Sequence, residues 1–154
     1  RAKLEDDMGS AAENLARALQ HYRAGFEKNP KDYYSGINVV NLLLQQDTDA
    51  ARAELATVVP HVRTAVREKR EDGPLDFWEL AADLQLAVVA RDWTAAEEAS
   101  QLVAAQAPSA WMLESSLREL IAVGQTLTAP DDRRQFSQIL AVLRPIDSPV
   151  ETAE

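Results

Sequence analysis

The chain has no cysteine, 5 glycines, 2 histidines and only 6% aromatic residues. Each shortage excludes something. Without cysteine there is no disulfide, no thiol nucleophile and no thiolate metal site, which fits a cytoplasmic protein. Neither His21 nor His61 has a ligand four residues on, because Gly25 and Ala65 stand there. No helical metal face is therefore encoded, and no metal or other cofactor is expected. No apolar run approaches the roughly 20 residues that span a bilayer, and no basic start leading into an apolar core marks a signal peptide, so a membrane is not an expected partner. Bases are also short: 16 Lys and Arg stand against 25 Asp and Glu, for a formal charge of -9. Such a surface repels polyanions, and a nucleic-acid partner is not expected.

What is present is helix-forming. The 154 residues are 46% hydrophobic and 27% charged, rich in alanine, leucine and glutamate. A chain this long buries roughly 70% of its unfolded surface as one domain, and its composition predicts an all-α fold. Residues 1–10, with Glu5, Asp6, Asp7 and Gly9 and no apolar period, read as a disordered or tag-like lead-in, 11–145 as a single helical domain and 146–154 as a flexible tail. The start at Arg1 rather than methionine suggests a piece of a longer polypeptide.

Leu15, Ala18, Leu19, Tyr22 and Phe26 recur at helical steps in a first helix from Ala11 to about Lys28, stopped by Asn29-Pro30. Ser35 is the expected N-cap of a second helix, whose stripe is Ile37, Val40, Leu43 and Leu44 and whose end lies near Gln46. The cluster Asp47-Thr48-Asp49 opens a long third helix to Arg70, with a kink or break expected near Val58 because Pro60 lies inside it. Gly73-Pro74 turns the chain, and Phe77, Leu80, Ala81, Leu84 and Val88 mark a fourth helix over about 75–90. Thr94 and Glu97 have capping-box spacing for a fifth helix, Ser109 for the N-cap of a sixth, and Asp132 with Gln135 for the box of a seventh. Gly124 falls at the sixth helix's C-terminal end, the usual place for a glycine.

About seven helices joined by short turns predict antiparallel pairs, and a repeat is visible. Ala18, Tyr22, Gly25 and Pro30 have the spacing of the second helix of a tetratricopeptide repeat (TPR) and its closing proline, and Ala96, Ser100, Val103 and Pro108 repeat it. The two prolines lie 78 positions apart (108 minus 30), against about 68 for two repeats of about 34 residues. The excess belongs to the long third helix. The expected architecture is a TPR-like α-solenoid fragment.

Three blocks go further: Tyr22 to Leu44 (YRAGFEKNPKDYYSGINVVNLLL), Asp76 to Leu102 (DFWELAADLQLAVVARDWTAAEEASQL) and Pro108 to Leu120. Together they resemble the TRAF-binding domain of mitogen-activated protein kinase kinase kinases. The Tyr33-Tyr34-Ser35-Gly36-Ile37-Asn38 run carries that family's Gly-Ile-Asn signature. The resemblance implies a TPR-like regulatory interaction platform, as in the apoptosis signal-regulating kinases and bacterial multidomain proteins. It supplies no catalytic set, and the chain has neither a phosphate-binding loop nor a kinase motif, so no enzyme is expected.

Candidate partner-binding residues follow from helix phase. Asn38 and Asn41 are three apart with Gln45 one turn on, where side-chain amides can bond an extended peptide without desolvating a charge. The plainer reading is that Asn38 fastens the Lys31 to Ser35 turn to its helix. Trp78, Gln85, Trp111, Ser115 and Arg118 fall off the main apolar stripes of the fourth and sixth helices and would continue the same groove, with inter-helix packing as the alternative for both tryptophans. Glu97-Glu98 and Asp131-Asp132 lie in opening turns, where they offset the helix dipole rather than form a catalytic dyad. Arg63, Arg67, Lys69 and Arg70 make a local basic patch near a helix end, a place that favours solvated cations. The expected function is a non-enzymatic scaffold that binds a protein or peptide, possibly another domain of the same chain. A purely architectural helical spacer is the alternative.

Overall fold

The computed structural model describes residues 2–144. Among them are seven α-helices and no strand: α1 (Ala2–Lys28), α2 (Tyr33–Gln46), α3 (Asp49–Glu71), α4 (Phe77–Val89), α5 (Trp93–Ala105), α6 (Ala110–Gly124) and α7 (Pro130–Leu143). The class is all-α, as expected. Pro145 and the 146–154 tail, which holds Pro149, lie outside the described residues. The chain divides into two compact units that meet in sequence at Lys69 and Arg70, in the last turns of α3.

In the first unit α1 and α2 pack as a hairpin about the turn at 29–32. The first helix begins at Ala2 and not at Ala11, so the expected lead-in is helical. The core stripe is Leu19 and Phe26 on α1, Ile37, Val40 and Leu43 on α2, and Ala51, Leu55, Val59, Val62 and Val66 on α3. Asp32, not Ser35, caps α2: its carboxylate accepts from the backbone N–H of Tyr34 and Ser35 at 3.1 and 3.4 Å. Ser35 is helical instead and donates its hydroxyl to Asp32 at 2.8 Å. Gly36 has a packing role, since a Cβ there would lie 2.7 Å from Val62 and 2.9 Å from Phe26.

Asp47 ends α2 in the left-handed conformation, φ 49°, and Thr48 caps α3 by accepting from Ala51 N–H at 3.0 Å. Of the kink or break expected near Val58, the break does not occur: α3 runs from Asp49 to Glu71 with Pro60 inside it. Pro60 lies on the exposed side, where water can serve the carbonyl left without its N–H partner, while Val59 and Val62 on the opposite side are buried. Thr64 donates its hydroxyl to the Pro60 carbonyl at 3.0 Å. Arg23 of α1 makes a two-pronged pair with Glu54 of α3 at 2.7 and 2.8 Å, and this hydrogen bonding holds the guanidinium above its usual pKa.

In the second unit α4 packs on α5 and α6, and α5 on α7. Of the caps expected in this unit, those at Thr94 and Asp132 do not form, and α4 has one for which no expectation stood. Asp76 and Glu79 form a reciprocal capping box on α4, at 2.8 and 2.9 Å. Helix α5 starts two residues before the position that Thr94 would need as a cap, and Asp92 caps it by accepting from Ala95 N–H at 3.2 Å. The Asp132–Gln135 box likewise does not form, since Pro130 opens α7 and places Asp132 inside its first turn. Ser109 does occupy the N-cap of α6, but its side chain makes no capping bond. Gly124 is the last residue of α6 and is a point of close approach: a Cβ would overlap the Phe136 ring of α7.

Candidate functional site

The candidate residues fall in two places, each described within its own unit. On α2 of the first unit, the Asn38 side-chain amide donates to the Tyr34 carbonyl at 2.8 Å. Its donor thus serves the first turn of its own helix, close to the fastening role read from the sequence. Asn38 and Asn41 are half-buried and Gln45 is exposed. Beside them Tyr34 is 59% exposed and meets Tyr22 of α1 edge-on, with ring centroids 6.2 Å apart. A hydrogen bond with Tyr34 is the largest influence raising the Tyr22 pKa.

In the second unit Trp78 and Trp111 come together. Their ring centroids are 5.9 Å apart and tilted by 45°, and the side chains remain 41% and 65% exposed. Buried Phe77 holds Trp78 from below, edge to face at 5.0 Å. Ser115 and Arg118 are exposed on α6, with Arg118 3.8 Å from Glu114 one turn back. Gln85 does not join this surface. It is only 4% exposed, because α4 buries nine of its thirteen residues and has no fully polar face on which Gln85 could stand.

The sequence reading missed Tyr34 as a surface aromatic. Tyr34, Trp78 and Trp111 are each the second residue of their helix, α2, α4 and α6. The dipeptides Tyr33-Tyr34, Phe77-Trp78 and Ala110-Trp111 therefore repeat one pattern, with the second side chain exposed each time. That recurrence was available in the sequence once helix starts were known. Also missed was Asp132, whose carboxylate accepts from the Trp93 indole N–H at 3.1 Å and lies 3.6 Å from the Arg91 guanidinium.

His21 and His61 are exposed, and no group of three or more His, Asp or Glu among the described residues could hold a metal. No helix among the described residues is long and apolar enough to cross a membrane. Arg70 of the basic patch pairs with Asp83 at 3.0 Å, and Lys69 sits 5.1 Å over the Tyr33 ring.

Helix pairs with short turns, small residues at their contacts and aromatics left on the surface define a TPR-like helical module. The comparisons give it a family. The model of the MAP3K TRAFs-binding domain matches residues 2–141, and the chain belongs to that family. It is similar to mitogen-activated protein kinase kinase kinase nsy-1 of Caenorhabditis elegans, with 26% identity over 112 residues. That match covers 70% of this chain and 7% of the relative. No solved structure gives a significant match.

Proposed function

We propose that the chain is a regulatory scaffold domain of a larger signalling protein, holding a protein segment or a neighbouring domain against its exposed aromatic surface. The observation that carries this reading is the Trp78–Trp111 pair, two large indoles left on the surface of a unit whose other large apolar side chains are mostly buried. Tryptophan and arginine are frequent anchors of protein interfaces, and exposed tryptophan is costly to keep without a use. Family membership supports a binding role, and its description makes a TRAF protein the first partner to test. The charge of -9 and the absence of cysteine support a protein partner met in the cytoplasm.

The test uses the full-length polypeptide with Trp78→Ala and Trp111→Ala together. Association with a purified TRAF protein, or with the remaining domains of the same polypeptide, should fall while the helical melt stays in place. Unchanged association with every such partner would leave only the architectural spacer.

A further inference from the structure

We propose that the Trp78–Trp111 pair is the docking point for an arginine- or lysine-bearing segment of the partner, which rests on the interaction role proposed above. The two indoles offer tilted ring faces at 5.9 Å, both open to solvent, and Phe77 fixes the orientation of one of them. Ring faces of tryptophan carry the negative end of the aromatic quadrupole and attract guanidinium and ammonium groups, tryptophan most strongly of the aromatics. A guanidinium also stacks on such a face, and each of the two exposed indoles offers one.

The charges around the pair favour the same occupant. Trp78 and Trp111 both stand at helix N-termini, which by themselves disfavour a cation. On α4 this is offset by the exposed carboxylate of Asp76, two residues before Trp78, whereas Glu79 is buried with its carboxylate accepting from the Asp76 backbone N–H. On α6, Glu114 lies three residues after Trp111, on the same helix face, and 75% of its side chain is exposed. Arg118 is the basic group beside it, at 3.8 Å, in a loose and solvent-exposed pair that an incoming cation can replace. Two exposed carboxylates, Asp76 and Glu114, against one guanidinium, on a chain of net charge -9, steer a basic segment toward the rings.

The experiment is calorimetric titration of the 154-residue chain with two short Gly/Ser peptides, one bearing several arginines and the other prolines at the same places. The arginine peptide should bind and the proline peptide should not. Trp111→Ala, which leaves net charge unchanged, should weaken arginine-peptide binding about fivefold, with Trp111→Phe falling between. Neutralising two acids of the first unit, Glu13→Gln and Glu27→Gln, should weaken it less than Trp111→Ala does. Equal affinity in wild type and Trp111→Ala would overturn the proposal, as would tighter binding of the proline peptide, or self-association of the chain that disappears with Trp111. Should Trp111→Ala lose helicity, Trp111→Phe and Trp78→Phe decide the matter, with undiminished binding in both counting against it. If a TRAF protein or a neighbouring domain still binds when Trp111 is removed, the docking point fails while the scaffold role stands. If that protein's binding is lost but the arginine peptide is ignored, the cation chemistry fails alone.

Discussion

The two units solve the same packing problem with different materials. In the first, an ion pair between Arg23 and Glu54 joins α1 to α3, and aromatic contacts run through Tyr22, Tyr33 and Tyr34. The second is organised on a helix buried nearly all round, α4, with Asp132 drawing Trp93 and Arg91 together. Yet each uses one glycine to let an aromatic ring reach a helix backbone: Gly36 against Phe26, and Gly124 against Phe136. The polar fastenings differ between the units, whereas this glycine and aromatic device is shared. Close helix approach is thus the common requirement, and polar links are local solutions to it.

The comparison can be broken at several levels. The largest effects are expected in the cores. Leu43→Ala in the first unit and Leu84→Ala in the second should each cost about 2 to 5 kcal/mol, read from urea unfolding. A loss under about 1 kcal/mol would mean the side chain is not packed as described. Next come the glycines. Gly124→Ala should destabilise by about 1 to 3 kcal/mol through overpacking, despite the better helix propensity of alanine. Gly36→Ala should cost less, because the Val62 and Phe26 atoms it meets are farther from the new methyl group. A stabilised Gly124 variant in thermal melts would contradict the shared device.

Smaller effects separate the caps. Asp76→Ala removes one arm of a reciprocal box and Asp32→Ala removes a carboxylate that accepts from two backbone N–H groups and the Ser35 hydroxyl, so each should cost about 1 kcal/mol. Ser109→Ala should change stability by only a few tenths of that, as its side chain makes no capping bond; denaturation of the three variants side by side checks the order. Equally small is the effect of Trp111→Ala, within about 0.5 kcal/mol, since the side chain is 65% exposed. A large loss there would turn the aromatic pair from a binding surface into structural packing.

How much of this was legible follows from what periodicity can report. The stripes of α3, α6 and α7 emerged from the sequence because each of these helices keeps one apolar and one polar face. Helix α4 was found, but Gln85 was assigned to the surface because a helix buried on most sides gives no phase by which to place a lone polar residue. Caps were misplaced for a related reason. Ser35 and Thr94 have the right chemistry, and Asp32 and Asp92, two or three residues earlier, have it as well; local spacing does not decide between them. The ending of α1 was read correctly and its beginning was not, since Gly9 and three acids interrupt the apolar period without interrupting the helix. The surface aromatics needed the helix starts, and only with those do Tyr34, Trp78 and Trp111 fall at one repeated position.

The division of aromatic types has a use of its own. All three tyrosines lie in the first unit and all three tryptophans in the second, with no overlap across Lys69 and Arg70. Intrinsic emission therefore carries a built-in label for each half. Trp93, half-buried and bonded to Asp132, reports a different environment from the two solvent-facing indoles. Unfolding followed by tryptophan emission, set beside near-ultraviolet tyrosine absorption, would tell without any added dye whether the halves melt as one cooperative body or in succession.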